Sequence, residues 1–399
     1  MYPPPGSESQ PDWKALRAQT PGAEATVHLN AAGAALMAEP VLAGLTEQVE
    51  LEARLGGYEA AERNAAAIAD LYPAAAALLG CASDEIAFVE NATRGWQLAF
   101  YSIPLSPADR ILTSVAEYAS NYIAFLQVAR RTGARIEVVP NDERGQLSVA
   151  ALAALLDEDV RVVAITHVPT NGGLVNPAAE VGALTRDSGA IFLLDACQSA
   201  GQLDLDVERI GCDLLSFTGR KYVRGPRGTG ILYGRREVIE DLEPPLLDLR
   251  AASWQSQESY VIAPGARRFE CWESSVAGRV GLARALRQVE AIGIGAIAAR
   301  VGGLAERLRG MLAEVPGLTL RDLGREPCGI VTFTLAGHEA KTLREQLGRR
   351  GISVWHSGVE STRLDMQARG LDQVVRASLH YYNDEEDLDR LLAALEELA

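Results

Sequence analysis

Residues 191–234 read IFLLDACQSAGQLDLDVERIGCDLLSFTGRKYVRGPRGTGILYG. One apolar run, 191–194, stops at Asp195. A second, 213–217, stops at Thr218-Gly219-Arg220-Lys221, and a glycine-rich turn follows. Short apolar runs that end in polar groups describe strands buried on both faces. Their carboxyl ends bring an acid, an amide (Gln198), a hydroxyl, a guanidinium and an amine toward one place.

Upstream, strand and helix patterns alternate. Strands are expected at Ile86–Val89, 111–113, 136–139, Val160–Thr166, 191–194 and 214–217. A helix follows Asn91-Ala92-Thr93, and another runs from Glu117-Tyr118 to about residue 131. Strands joined by helical crossovers predict an α/β fold on a mostly parallel sheet flanked by helices. In such sheets, ligand residues gather beyond the carboxyl ends of the strands. Nearer the N-terminus, 29–33 reads as a short strand breaking into a turn, and an Ala-rich helical pattern covers about 38–79, interrupted at Gly56-Gly57.

After about residue 264 the periodicity changes. A long helical pattern, 276–312, precedes strands at Leu318–Leu320, Ile330–Leu335, 352–355 and 374–378, then a terminal helix at 385–398. These describe a smaller C-terminal α+β domain with an antiparallel sheet. The expected organisation is a Pro/Ser-rich leader (1–25), partly disordered or lying on a partner, a large domain (26–264) and a small domain (265–399).

A chain of 399 residues, 48% hydrophobic and 23% charged, has the make-up of a soluble globular protein. Its net charge of −15 argues against nucleic acid as a partner, which calls for a basic face. A site can still be locally basic toward an anionic substrate. No apolar stretch reaches the length of a membrane span, and MYPPPGSESQPDWK is not a signal peptide; no membrane partner and a cytoplasmic location are expected. The five cysteines (81, 197, 212, 271, 328) lack CxxC spacing and the five histidines do not cluster. Neither a disulfide framework nor a metal site is expected.

The polar residues at the strand ends match the needs of pyridoxal 5′-phosphate (PLP). Lys221 offers an amine to its aldehyde, and Asp195 a carboxylate that keeps the pyridine nitrogen protonated. Gln198 is within reach of the phenolic oxygen; capping of the next helical turn accounts equally for Asp195 and Gln198. Thr93 stands at a helix N-terminus, whose N–H groups and dipole suit a phosphate, and a plain N-cap explains the same residues. Thr218 and Arg220 add phosphate donors. Tyr118 either stacks on a planar ring or is a half-buried core residue. The polar loop 167–173, with His167, Thr170 and Asn171, suits contact with the ring oxygen or the substrate. Arg376 lies in an apolar strand, and a buried arginine needs an anion, either a structural acid or a substrate carboxylate.

With its motifs in this order, the chain resembles the class V aminotransferase, cysteine desulfurase-like, branch of fold-type I PLP enzymes over roughly residues 28–395. The resemblance implies a seven-stranded large sheet, with Lys221 holding the cofactor covalently, Asp195 on its ring nitrogen and Tyr118 stacked on it. Gln198, Thr93, Arg94, Thr170, Asn171, Thr218, Arg220 and Ser275 complete the implied cofactor site. Arg376, Asn30 and Ala31 would meet a small amino-acid substrate. It also implies a homodimer with the active site at the subunit interface, where 270–275 falls in the stretch a neighbouring subunit contributes.

Two departures stand out. Desulfurases carry a nucleophilic cysteine on a C-terminal-domain loop, and the corresponding segment 355–363 (WHSGVESTR) has none. They also place histidine where Tyr118 stands. Desulfurase chemistry is therefore disfavoured at this point. The segments 56–62, Glu117-Tyr118, Arg220-Lys221 with GPRG, 272–282 and 357–361 are similar to the ergothioneine-pathway (hercynylcysteine sulfoxide) C–S lyases and related cysteine-conjugate lyases. The resulting expectation is β-elimination from an S-substituted cysteine or its sulfoxide, giving a thiol or sulfenate, pyruvate and ammonia. Class V transamination, or epimerisation or decarboxylation of an amino acid, is the alternative served by the same residues.

Overall fold

The computed structural model describes residues 11–399. Seven strands form the large sheet in the order Ile86–Val89, Gly230–Gly234, Leu214–Thr218, Ile191–Asp195, Val160–Thr166, Arg110–Ser114, Arg135–Val139. Gly230–Gly234 is antiparallel to both of its neighbours, and the remaining pairings are parallel. Side chains alternate between the two faces, as a period of two requires. Phe192 and Leu194 pack into one core with Val163 and Ile165. Leu193 and Ile191 pack into the other with Val162 and Ala164. Both faces of the central strands are covered, so a run such as 191–194 is unbroken and apolar, whereas the edge strand Arg135–Val139 is only partly buried and carries Glu137.

The small sheet is antiparallel, in the order Leu318–Leu320, Ile330–Leu335, Gln373–Ser378, Trp355–Gly358. The single helix expected over 276–312 is two helices, Val276–Ile292 and Ile294–Ala313, which meet at 82°. Gly293 makes the bend with φ 89°, a backbone angle that glycine tolerates best. The first helix sends Leu282, Ala283 and Leu286 into the core of the large sheet. The second sends Leu304, Leu308 and Leu312 into the core of the small one. Packing therefore changes hands at Gly293, whereas periodicity alone changes near 264. Among the described residues no single helix is long and apolar enough to cross a membrane.

The N-terminal segment also departs from expectation. Residues 1–10 of the expected leader lie outside the described residues. Residues 11–25 are folded onto the chain itself: Asp12 caps the helix Trp13–Ala18, Leu16 is buried, and Arg17 pairs with Asp387 at 2.8 Å and Asp384 at 3.1 Å. The strand expected at 29–33 is instead Val27–His28, paired in parallel with Ile352–Ser353, and Ala31–Ala34 is a helical turn. Val27 and Leu29 belong to the small-sheet core.

Candidate active site

A cavity of about 170 Å³ opens where the parallel strands end. Asp195 closes one strand, Thr166 the next, and Thr218 a third, after which the chain continues through Arg220 to Lys221; all five line the cavity with Tyr118, Thr93, Thr170 and Gln198. The sequence-predicted residues of the first rank are thus brought together.

Asp195 is buried, its Oδ2 accepting from Asn121 Nδ2 at 2.9 Å and its Oδ1 from the Cys197 amide at 2.9 Å. Lys221 is half-buried and makes no ion pair among the described residues. Burial pulls its ammonium below the ordinary lysine range, the Arg220 guanidinium adds to this, and the negative charge of Asp195 opposes it. A lysine held that way gives up its proton more readily and serves better as nucleophile and base. Thr93 and Ala92 line the cavity at the positive end of the helix Ala92–Ser102, which Asn91 caps by accepting the Arg94 amide at 2.9 Å.

Three buried atoms around the cavity lack hydrogen-bond partners: Arg220 Nη1, Gln198 Oε1 and Arg376 Nε. Leaving such a group unpaired costs about 1–3 kcal/mol. Arg376 is buried, bonds through Nη1 only to the backbone and hydroxyl oxygens of Thr170, and has no acidic partner among the described residues. Burial lowers its pKa to about 10. Two guanidinium groups with spare donors, a helix N-terminus, a free amine and a held carboxylate fit a phosphorylated pyridine aldehyde together with an amino acid carboxylate.

Other predicted residues do not converge here. The Arg94 side chain is exposed, and only its amide joins the cap. Asn171 faces away, donating to Thr362 Oγ1 at 3.0 Å and bracing the segment that follows Trp355–Gly358. Ser275 caps Val276–Ile292 and lines a separate cleft with Tyr58 and Trp272. Asn30 lines another cleft beside Arg344 and Trp355, and Ala31 is buried. The His167 ring lines a cavity walled by Asn176 and Asp204; burial lowers its pKa to about 4, which keeps it neutral. Within 270–275, Glu270 is an internal strut, bonded to Arg250 (2.9 Å), Tyr72 (2.8 Å) and the Phe88 amide (3.0 Å).

Sequence reasoning missed Thr166, Cys197 and Arg227 on the cavity wall. It also missed Asn121 behind the wall, for which the i,i+4 spacing from Glu117 was the available signal. Cys197 and Cys328 are poor nucleophiles, since burial pushes each thiol up to about 12.

Gly201 lets the Lys221 turn pass. It has φ 89°, and a Cβ there would stand 2.5 Å from the Tyr222 carbonyl carbon and oxygen and 2.7 Å from the Val223 nitrogen. Gly201→Ala is expected to cost about 3 kcal/mol in stability and to weaken cofactor uptake, measured by thermal melting and by PLP titration.

A model of the family described as aminotransferase class-V matches residues 27–391. A cysteine desulfurase from Synechococcus elongatus is 33% identical over 355 residues, 85% of this chain, and the chain spans 55% of that relative's length. Relatives from other species carry the same name. Among solved structures, the Escherichia coli cysteine desulfurase CsdA is 25% identical with a TM-score of 0.90, covering 98% of both chains. The cystine C-S lyase C-DES, in complex with its reaction product cysteine persulfide, is 25% identical with a TM-score of 0.86, covering 95% of this chain and 99% of that one. These names overturn the expectation that placed β-elimination from S-substituted cysteines first and disfavoured desulfurase chemistry. That expectation rested on the absent loop cysteine, on Tyr118 in place of histidine and on a few short lyase-like segments, whereas the relatedness extends over most of the chain.

Proposed function

Because this chain belongs to the class-V aminotransferase family, we propose that it is a PLP enzyme that withdraws sulfur from L-cysteine and passes it to a thiol supplied from outside the chain. The observation that carries this reading is a cavity walled by a half-buried amine and a carboxylate held at both oxygens, with a buried guanidinium bonded to its wall residue Thr170 and no acidic partner for it among the described residues. The desulfurase names of its relatives support the choice of substrate.

Bound PLP, which a lysine-to-alanine variant of the related C-DES holds covalently linked to glycine, supplies an electron sink for the bonds at the substrate's Cα and Cβ. The chain's residues do the rest. Arg376 takes the substrate carboxylate with its unpaired Nε, a charge-assisted contact in a dry setting. Lys221, inclined toward the neutral amine, removes the Cα proton and later returns a proton to carbon. Asp195 accepts the ring N–H, its orientation fixed by Asn121 and the Cys197 amide. Thr93, Thr218, Arg220 and the N-terminus of Ala92–Ser102 hold the phosphate.

In the overall change the Cβ–S bond breaks, an S–S bond forms to the acceptor, and carbon gains the proton: L-cysteine and a thiol give L-alanine and a persulfide. An external acceptor is proposed because segment 355–363 has no cysteine and burial holds the Cys197 and Cys328 thiols protonated. The PLP-loaded enzyme is expected to form alanine and reducible sulfur from L-cysteine at a rate that rises with added thiol. No alanine under those conditions would overturn the reading.

Arg376→Gln is expected to raise KM for cysteine by about ten- to a hundredfold, the size of one charged hydrogen bond. Steady-state kinetics check it, with kcat changed far less. The proposal includes a homodimer. Tyr58 (81% exposed) and Trp272 (59%) flank the cleft that holds Ser275, an apolar face of the kind a second subunit covers.

A further inference from the structure

We propose that Glu117 is a positioning residue for the cofactor ring, acting through Asn121 on Asp195; this rests on the reading of Asp195 as the partner of the ring nitrogen. Glu117 is buried just beyond the strand Arg110–Ser114. Its Oε1 accepts from the Tyr118 amide at 3.0 Å, Asn121 Nδ2 at 2.8 Å and Thr166 Oγ1 at 2.6 Å. Its Oε2 accepts from Thr113 Oγ1 at 3.1 Å and the Thr166 amide at 3.0 Å. Five donors thus meet one carboxylate, saturating its lone pairs, and no basic side chain pairs with it among the described residues.

The Asn121 amide nitrogen has two hydrogens and both are committed. One goes to Glu117 and the other, over 2.9 Å, to Asp195 Oδ2. A single amide therefore bridges the two acids, and Asp195 cannot rotate without breaking that bridge or its bond from the Cys197 amide. The same Glu117 holds the backbone of Tyr118, whose side chain lines the cavity. Burying a charge is expensive, and a tie between strands does not need one. Burial pushes the Glu117 carboxyl up to about 7, against the hydrogen bonds from Thr166 and Asn121, which favour the anion. As an anion it adds to the negative field that Asp195 presents to a protonated ring nitrogen.

The test compares the PLP-loaded wild type with Glu117→Gln, Asn121→Ala and the double variant. The readouts are the visible absorbance band of the bound cofactor and the dissociation constant for PLP. Each single variant is expected to shift the band and weaken PLP binding about ten- to a hundredfold. Residues acting in series should not add, so the double variant should lie within about threefold of the weaker single. A native band and native affinity in Glu117→Gln, even with a lower melting temperature, would reduce Glu117 to a structural strut and overturn the proposal. Should Glu117→Gln not fold, a native band in Asn121→Ala overturns it equally, as would fully multiplicative losses in the double variant. A wild type that takes up no PLP would defeat the cofactor reading instead.

Discussion

Lys221→Ala is expected to abolish turnover of L-cysteine, by at least about ten-thousandfold, while leaving the fold intact. Lys221 lines the cavity without an ion pair among the described residues, so removing it breaks no salt bridge there. The loss is chemical: among the described residues the cavity wall has no second amine to take its place. The variant should retain PLP weakly through the phosphate contacts of Thr93, Thr218 and Arg220. Borohydride treatment followed by peptide mapping should label position 221 in the wild type and nothing in the variant. Labelling elsewhere in the wild type would remove the basis of the proposed function.

Asp195→Asn carries the second largest expected effect, a fall of about a thousandfold in kcat. The two side chains match in size, but the substituted amide brings a donor where both native oxygens already accept one, from Asn121 and the Cys197 amide. One N–H would then face another, and no anion would remain to keep the ring nitrogen protonated. KM should change little, because Arg376 and not Asp195 is assigned the substrate carboxylate. A variant with near-native kcat would show that ring protonation is not needed here.

Six strands of the large sheet were legible because central strands covered on both faces leave largely apolar runs, and because several of those runs stop at a polar residue; Gly230–Gly234 was not, since its glycines read as a turn. Lys221, Asp195, Thr218 and Arg220 were legible for the same reason, lying at or just past the strand ends. The bend at Gly293 was not, since a single glycine barely perturbs an apolar helical repeat, while its φ of 89° is a property of the fold. The hub at Glu117 was equally hidden, as its donors come from Thr113, Asn121 and Thr166, the last of them nearly fifty residues away. Ser275, Asn30 and Arg94 were carried over from motif order; in the fold Ser275 and Asn30 line other clefts, and the Arg94 side chain is exposed beside the helix N-terminus. The chemistry was misjudged because two local departures, the missing loop thiol and Tyr118 in place of histidine, and a few lyase-like segments were weighed above likeness over most of the chain.

Arg376 stands on the small sheet, and among the described residues its guanidinium bonds to oxygens of Thr170 alone, on a loop of the large one. An amino acid seated between them would latch the two lobes together. Its arrival should slow amide exchange along Gln373–Ser378 before any bond in the substrate has broken.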